Sequence, residues 1–278
     1  MKHISNIVFS IIVLNFVLLF SNFSFFVFAE EFIGKKGDWR GFESYEFEIG
    51  KRPCRVVIPK KIAEGKPWVW RAVFWGHEPQ TEVALLGKGY YVAFISCSDL
   101  LGSPQHLKER DEFYNFLTRR YGFSKKPVLI GMSRGGFCSL RWAMANPANV
   151  SCLYVDAPVC DLRSWPGGKG KGKGSQRDWQ QVLKLYNLTE SEALKFDGNP
   201  VDLQALKPLA EQKVPILSVC GDSDDVVPYK ENTAILEERY KKMSAPIEVI
   251  LKPGIAHHPH SLKDPTPIVE FILKNTKK

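Results

Sequence analysis

The chain has 278 residues, of which 44% are hydrophobic, and a formal net charge of +8. This length is sufficient for one large domain with a full core. Four of the six cysteines lie in or beside apolar segments, which argues against a disulfide framework and predicts at most one disulfide. A basic chain attracts polyanions, but a well-solvated, lysine-rich surface is the simpler explanation of the charge.

The first 29 residues have the pattern of a secretory signal peptide. Lys2 precedes an apolar run over 7–20, and Ala29 provides a small residue before a cleavage point at Glu30. A retained membrane anchor is the alternative, because apolar residues continue beyond residue 20. The cleavage point has no cysteine, which excludes a lipoprotein signal. We expect a secreted or periplasmic protein without stable membrane insertion after cleavage.

The mature chain, residues 30–278, alternates between strand-like and helix-like segments. This alternation predicts an α/β fold with a mostly parallel sheet and helices on both faces. Between about 157 and 213 only helical segments occur, which predicts a cap inserted before the strand at Pro215. The predicted strands are 41–48, 54–58, 68–74, 90–96, 127–132, 150–156, 215–221 and 247–251, and the predicted helices outside the cap are 81–88, 106–121, 137–146, 229–243 and 267–274.

A short motif follows the apolar strand at 127–132. The residues Gly131-Met132-Ser133-Arg134-Gly135 have the Gly-x-Ser-x-Gly form of a nucleophile elbow, and a helix-like pattern comes directly after them. In such an elbow a strained turn exposes the serine hydroxyl, and the small neighbours let the strand and helix approach closely. We predict Ser133 as the nucleophile; a structural turn serine is the alternative.

A serine hydroxyl is a weak nucleophile, so it needs a base and the base needs an orienting carboxylate. Two loops that follow predicted strands supply candidates, and the carboxyl ends of parallel strands are where open α/β sheets place their sites. The loop at 221–228 contains Asp222, Asp224 and Asp225, and the loop at 252–261 contains His257, His258 and His260.

These three segments together resemble the α/β-hydrolase superfamily, and the resemblance covers nearly all of the mature chain. The superfamily's acid loop commonly has the form Gly-x-x-Asp-x-x-Val-Pro and its histidine loop Gly-x-x-His. The resemblance implies Asp224 as the acid and His257 as the base, with the other two aspartates as solvated competitors. It also implies an oxyanion hole from the backbone N–H groups of Arg134 and His77, although Trp75-Gly76-His77 departs from the family's His-Gly-x pattern.

The histidine loop also has a spacing that could bind a metal. No cysteine or carboxylate accompanies His257, His258 and His260 in this loop, and the hydrolase needs one of these rings as its base. We therefore predict no metal and no cofactor, with His258 and His260 lining the mouth of the site or stabilising the loop.

A narrower resemblance, to secreted bacterial hydrolases of polysaccharide utilisation, concerns several short motifs. This group includes carbohydrate esterases, among them a methylesterase acting on pectic rhamnogalacturonan, and the resemblance implies an ester substrate on a plant polysaccharide. The motifs are Trp70-Arg71-Ala72, Gly76-His77-Glu78-Pro79, Gly131-Met132-Ser133-Arg134-Gly135-Gly136, Asp156-Ala157-Pro158-Val159-Cys160-Asp161, Ser164-Trp165-Pro166-Gly167-Gly168 and His257-His258-Pro259-His260-Ser261-Leu262.

The residue types near the elbow and in the cap are compatible with an acidic sugar. The candidates for substrate binding are Arg134, Trp165, His258 and Arg71. An arginine can pair with a uronate carboxylate, and a tryptophan offers a flat face to a sugar ring. The cap adds five further basic residues and one further tryptophan, which are Arg163, Lys169, Lys171, Lys173, Arg177 and Trp179. The alternative is structural, with cap tryptophans packed internally, Arg134 in an internal ion pair and a solvated Gly-Lys loop at 168–174.

We predict a secreted serine esterase that hydrolyses a uronic acid methyl ester of pectin through an acyl-enzyme. The expected partner is an oligosaccharide or polysaccharide, neutral or anionic, and not nucleic acid. The alternatives are a polysaccharide O-acetyl esterase, then a prolyl-oligopeptidase-like peptidase, then a non-catalytic binding protein with the same fold. A missing β-propeller and a small cap argue against the peptidase, and a complete set of Ser, Asp and His argues against the binding protein.

Overall fold

The structure is a computed structural model that describes residues 31–276, so the predicted leader lies outside the described residues. Its strands are β1 (Lys35–Trp39), β2 (Phe42–Ile49), β3 (Arg52–Val57), β4 (Trp68–Arg71), β5 (Tyr91–Ile95), β6 (Val128–Met132), β7 (Cys152–Asp156), β8 (Ile216–Gly221) and β9 (Ile247–Lys252). Its α-helices are α1 (Gln80–Gly87), α2 (Pro104–Arg120), α3 (Arg134–Ala145), α4 (Gln176–Tyr186), α5 (Glu190–Ala193), α6 (Leu203–Glu211), α7 (Thr233–Lys242) and α8 (Thr266–Thr276).

All nine described strands belong to one sheet, in the order β1-β2-β3-β5-β4-β6-β7-β8-β9. Strands β1, β2 and β3 are antiparallel to their neighbours, and the pairs from β5 through β9 are parallel. The predicted α/β fold with a mostly parallel sheet is therefore confirmed. The carboxyl ends of β4, β6, β7, β8 and β9 lie along the same edge of the sheet, where open α/β folds form their sites.

Alternate residues of each central strand face opposite sides of the sheet. In β6, Leu129 packs in the cluster with α2, α3, α6 and α7, whereas Val128 and Ile130 pack in the cluster with α1 and α8. Both faces are buried, which explains why the parallel strands are continuous apolar runs in the sequence. No helix between residues 31 and 276 is long and apolar enough to cross a membrane.

The segment between β7 and β8, where the cap is predicted, contains α4, α5 and α6 and no strand. Helix α6 packs against α3 and α7 and so contributes to the main core. The first part of the segment and α4 form a separate apolar cluster that includes Trp165 and Trp179. The inserted segment is thus partly core and partly a cover near the elbow.

A missed strand and the early end of β4 are the main differences between the strands and the sequence prediction. Strand β1 was not predicted, because its residues lie on the exposed edge of the sheet and lack an apolar alternation. Strand β4 ends at Arg71 and not at Phe74, because the Arg71 side chain binds backbone carbonyl groups of the residues that follow. Phe74 itself has a φ of 54°, which takes the chain out of the strand conformation.

Candidate active site

Ser133 lies in the sharp turn between β6 and α3. It has φ and ψ of 51° and −124°, a conformation that non-glycine residues rarely adopt. Neighbouring glycines make the turn possible: a Cβ on Gly131 would lie 2.2 Å from the carbonyl oxygen of Gly135, and one on Gly136 would lie 2.5 Å from Pro158. The Ser133 N–H donates to the Asp156 carbonyl at 2.8 Å, which fixes the turn to the end of β7.

The structure brings Ser133, His257 and Asp224 together from three strand ends. His257 Nε2 lies 3.1 Å from Ser133 Oγ, and His257 Nδ1 lies 2.7 Å from Asp224 Oδ2. The other carboxylate oxygen of Asp224 accepts hydrogen bonds from the Val226 and Val227 N–H groups, at 2.9 and 2.8 Å. This is the arrangement in which a carboxylate orients an imidazole toward a serine hydroxyl.

The two competing aspartates of the same loop face elsewhere. Asp222 is exposed, and its Oδ1 accepts from the Gly254 N–H at 2.8 Å. Asp225 is also exposed, forms an ion pair with Lys173, and has a lowered pKa because of that contact. Of the three carboxylates, only Asp224 contacts His257.

A cavity of about 460 Å³ opens beside Ser133 at the edge of the sheet. Its wall combines aromatic rings, imidazoles and one guanidinium, and none of the residues that line it is acidic. The lining residues are Phe74, Trp75, His77, Ser133, Arg134, Trp165, Val226, His257, His258 and His260. Three of the four predicted substrate-binding residues, Arg134, Trp165 and His258, are therefore in the cavity wall.

Arg71, the fourth predicted substrate-binding residue, is not in the cavity wall. Its side chain is 1% exposed and forms an ion pair with the equally buried Glu82 of α1. The remaining guanidinium and Nε hydrogens donate to the carbonyl oxygens of Val73, Phe74 and His77, at 2.9, 3.1 and 2.7 Å. The prediction that Arg71 binds substrate is wrong, because this buried side chain instead binds backbone carbonyl groups of the loop after β4.

The two predicted oxyanion donors, Arg134 and His77, differ in whether their N–H groups already have an acceptor. Arg134 is the first residue of α3, so its N–H has no acceptor within the helix and lies next to Ser133. The His77 N–H, in contrast, donates to the Phe74 carbonyl at 3.1 Å and closes a turn. Within the described residues the Phe74 N–H has no acceptor, and the Phe74 ring lines the cavity. The second donor predicted at His77 is thus better placed at Phe74.

The Arg134 side chain lies in the cavity wall, with its guanidinium between two aromatic rings. Its guanidinium carbon lies 5.6 Å from the ring centres of both Phe74 and Trp165, and 27% of its side chain is exposed. One guanidinium nitrogen lies 3.6 Å from Asp178 of α4, a long ion pair. Arg134 therefore has an internal partner and still presents its charge to the cavity.

The other basic residues of the cap are not directed at the cavity. Lys169 forms an ion pair with Glu190 at 2.8 Å, and Lys173 pairs with Asp225. Trp179 is 2% exposed and donates to Glu190. The structural alternative therefore applies to these residues, and the Gly-Lys loop is attached to the protein by ion pairs.

Hydrogen bonds connect the start of the cap to the segment after the acid loop. Asn232 Oδ1 accepts from the Cys160 and Asp161 N–H groups, and its Nδ2 donates to Ser164 Oγ. Ser164 Oγ in turn donates to Glu231 at 2.7 Å. Residues 160–164 of the cap and residues 231–232 therefore form one polar network beside the site.

A second aspartate–histidine pair lies next to the first. Asp156 ends β7 and is 1% exposed, and its Oδ1 is 2.8 Å from His260 Nδ1. Its Oδ2 accepts from the Tyr154 hydroxyl and the Ser261 N–H, at 2.9 and 2.8 Å. Sequence reasoning did not single out Asp156. The available signal was a carboxylate that ends a fully apolar parallel strand at the functional edge of the sheet.

The remaining two imidazoles of this region, His77 and His258, are exposed to the cavity. Partial burial and then the neighbouring imidazoles lower the pKa of His258. The predicted metal-binding alternative used His257, but both nitrogens of that ring are engaged by Asp224 and Ser133. Among the described residues, the imidazoles that come together are His77, His258 and His260.

Comparison with known proteins supports the fold. No protein-family model matches the sequence. The structure is similar to that of a protein provisionally described as a dipeptidyl aminopeptidase IV from Bacteroides ovatus ATCC 8483, with a TM-score of 0.59 and 16% identity over 84% of this chain and 35% of that one. It is also similar to Porphyromonas gingivalis dipeptidyl peptidase 4, with a TM-score of 0.59 and 16% identity over 81% of this chain and 33% of that one. This chain thus spans about a third of the length of either protein.

Proposed function

We propose that this protein is a serine hydrolase with Ser133 as nucleophile, His257 as general base and Asp224 as the orienting acid. The observation that carries the proposal is the continuous contact from Asp224 through His257 to Ser133, with distances of 2.7 and 3.1 Å. The three residues follow β8, β9 and β6, and Ser133 and His257 border one cavity, so a substrate carbonyl can reach the hydroxyl. The two similar structures belong to proteins described as dipeptidyl peptidases, which agrees with hydrolysis.

In the proposed reaction His257 Nε2 accepts the Ser133 proton while Oγ attacks the carbonyl carbon. His257 then protonates the leaving alcohol, and an acyl-enzyme remains. Water attacks the acyl-enzyme with His257 again as the base, which releases the acid and restores Ser133. Asp224 stays ionised throughout and stabilises the imidazolium, helped by the two backbone N–H groups that hold its second oxygen.

The tetrahedral oxyanion would accept hydrogen bonds from the N–H groups of Arg134 and Phe74. Arg134 follows Ser133 directly and Phe74 lines the same cavity, and neither N–H group has a backbone acceptor among the described residues. Arg71 supports this arrangement, because it holds the carbonyl groups of Val73, Phe74 and His77 on the opposite side of the loop. Such preorganised donors are usually the largest electrostatic contribution to acyl transfer.

The preferred substrate is an ester on an acidic saccharide, with a uronic acid methyl ester first and an O-acetyl ester second. Support comes from the cavity wall, which offers Arg134 for a neighbouring carboxylate and Trp165 and Phe74 for flat sugar faces. No acidic residue lines the described cavity. A cationic group such as a peptide N-terminus would find no carboxylate there to pair with.

A peptidase is the second candidate, because both similar structures are of proteins described as dipeptidyl peptidases. Ester and peptide hydrolysis use the same nucleophile, base and oxyanion donors, so the geometry around Ser133 does not separate them. The difference lies in what the cavity wall binds, and only substrate assays measure it.

The test is hydrolysis of four substrates by the purified mature protein, with a Ser133→Ala variant as the blank. Methanol release from methyl-esterified pectin supports the preferred substrate, and acetate release from acetylated xylan supports the O-acetyl ester. Cleavage of a dipeptidyl p-nitroanilide without either product supports the peptidase. Rates equal to the blank on all three, and on a chromogenic acetate, would show that the hydrolase proposal is wrong.

We also propose that the protein is secreted or periplasmic. This rests on the leader pattern at residues 1–29, which lies outside the described residues. Sequencing the N-terminus of the protein recovered from outside the cytoplasm tests it. Glu30 as the first residue supports cleavage, and an intact leader in the membrane fraction supports the anchor.

A further inference from the structure

Three imidazoles cluster in the cavity wall beside the catalytic residues. His77 comes from the loop after β4, and His258 and His260 come from the loop after β9. Each offers one ring nitrogen, and these atoms all lie within 4.8 Å of one another. The ring centres of His258 and His260 are 4.7 Å apart, and His77 lies 6.1 and 5.7 Å from them.

The cluster adjoins the triad but differs from it in its hydrogen bonds: the ring centre of His257 lies 5.1 and 4.8 Å from those of His258 and His260. Both ring nitrogens of His257 have partners, whereas the rings of His77 and His258 have no hydrogen-bond partner among the described residues. His260 uses only Nδ1, which contacts Asp156 at 2.8 Å. Five ring nitrogens of the three residues are therefore not engaged by protein groups, in a wall open to small molecules.

Asp156 gives His260 the environment of a metal-binding histidine. A metal-bound histidine usually donates its other ring N–H to a carboxylate or carbonyl, which fixes the tautomer and makes the free nitrogen more basic. Here the buried Asp156 accepts the Nδ1–H, so Nε2 keeps its lone pair for a ligand. Asp156 is itself fixed by the Tyr154 hydroxyl and the Ser261 N–H.

Both loops that carry the imidazoles are held at their backbones. Arg71 donates to the His77 carbonyl at 2.7 Å. Lys252 donates to the carbonyls of Pro259 and Ser261, at 2.6 and 3.2 Å, on either side of His260. A site held in this way loses little freedom when an ion binds, which favours affinity.

We propose that His77, His258 and His260 bind a divalent transition metal ion, with zinc as the best fit. Three imidazoles with an open fourth position are a known zinc ligand set, and Zn–N distances of about 2.1 Å place ligand nitrogens about 3.4 Å apart. The ligand nitrogens now lie within 4.8 Å of one another, so binding requires a small approach, and His77 and His258 have exposed rings that can turn. The proposal departs from the sequence prediction of no metal, which considered only the loop at 257–260 and not His77.

An ion held by these three rings would border the cavity that contains Ser133, where an oxygen atom of the substrate could complete its coordination. A carboxylate or hydroxyl of the saccharide beside the scissile ester suits a zinc-class ion and the nearby charge of Arg134. This role rests on the proposed function. Metal binding itself does not, and the experiment below measures it without any hydrolysis.

The experiment is zinc and cobalt titration of the untagged mature protein after treatment with a chelator. We expect about one equivalent of zinc per chain by calorimetry and elemental analysis, and a visible cobalt spectrum of low-coordinate type. His77→Ala and His258→Ala should each weaken zinc binding by more than about 100-fold, beyond the range that outer residues produce. His257→Ala is the matched control from the same loop: it should keep the metal and lose hydrolysis.

Three results would overturn the proposal. They are less than stoichiometric binding by the wild-type protein, unchanged affinity in His77→Ala, and loss of the metal in His257→Ala. The substituted side chain of His77 is exposed, so this variant should fold, and circular dichroism with a thermal melt checks that it does. If Ser133→Ala binds zinc but the wild type hydrolyses none of the substrates, the metal site stands and the hydrolase proposal fails.

Discussion

Two aspartate–histidine pairs lie side by side at the carboxyl edge of the sheet, and they differ in what the second nitrogen of the imidazole meets. In each pair a nearly inaccessible aspartate contacts Nδ1, at 2.7 Å in Asp224–His257 and 2.8 Å in Asp156–His260. His257 Nε2 lies 3.1 Å from the Ser133 hydroxyl. His260 instead lies beside two further imidazoles.

The comparison shows that a buried carboxylate fixes the tautomer and direction of a ring without deciding its chemistry. Opposite a hydroxyl, the oriented ring is a base. Where the ring lies beside other imidazoles, as His260 does, the same orientation leaves a nitrogen for an ion. The two pairs can therefore be tested separately, with hydrolysis as the readout of one and metal affinity as the readout of the other.

The largest effect is expected from removing the hydroxyl opposite His257. Ser133→Ala should lower kcat by about 10⁴- to 10⁶-fold on a chromogenic ester, because the nucleophile is lost. Ser139→Ala is the matched control: this serine lies on α3, the helix that follows Ser133, is fully buried, and its hydroxyl has no hydrogen-bond partner among the described residues. Its kcat should stay within twofold of wild type. A Ser133→Ala rate within tenfold of wild type would contradict the assignment.

The second-largest effect concerns Asp224, the carboxylate that contacts His257. Asp224→Asn should lower kcat by about 10⁴-fold, because the amide favours the wrong tautomer of His257 and no longer stabilises its charge. The neighbouring Asp222→Asn should change kcat by less than about twofold, since Asp222 contacts the Gly254 N–H and not His257. Zinc affinity should be the same in both variants. Equal losses of kcat would show that the acid is misassigned.

The same substitution in the second pair, Asp156–His260, should affect zinc binding more than hydrolysis. Asp156→Asn should weaken zinc binding by about 10- to 100-fold, as substitutions of groups that orient metal-bound histidines do. Hydrolysis of a small neutral ester should fall less, by under about tenfold, in protein that circular dichroism shows to be folded. If Asp156→Asn abolishes hydrolysis and leaves zinc affinity unchanged, the two pairs do not have separate roles.

The smallest effect concerns Arg134, the charged residue of the cavity wall that is proposed to bind the substrate. Arg134→Met should lower kcat/KM on an acidic oligosaccharide ester by about tenfold, the low end for a charged hydrogen bond because the side chain is partly exposed. A neutral chromogenic acetate should be hydrolysed at the wild-type rate. Arg177→Met is the control, since Arg177 contacts the same Asp178 but is 84% exposed. Equal losses on both esters would exclude a role in substrate charge.

The sequence was sufficient for the parallel part of the sheet, because a strand buried on both faces must be apolar throughout. Strands β6, β7 and β8 and the turn at Ser133 can therefore be predicted from the sequence. The exposed edge strand β1 carries no such signal. The early end of β4 has none either, because it depends on a side chain, Arg71, that turns back to bind its own loop.

In the site, local motifs identified the residues that the structure brings together at Ser133. Contacts between distant segments were not accessible in the same way. Asp156 and His260 are 104 positions apart, and His77 joins His260 from another loop altogether. The second oxyanion donor was misplaced at His77, because the hydrogen bond that occupies its N–H depends on the turn at Phe74.

The network that joins Ser164, Glu231 and Asn232 has a mechanical consequence. These side chains connect the beginning of the inserted segment to the stretch that follows Asp224. A lid hinged at the start of that segment would have to break these buried bonds and would pull on the loop that positions the acid. The inserted segment and the acid loop are therefore expected to move as one body, and substrates should enter past the exposed rings of His77 and His258 without a swinging gate.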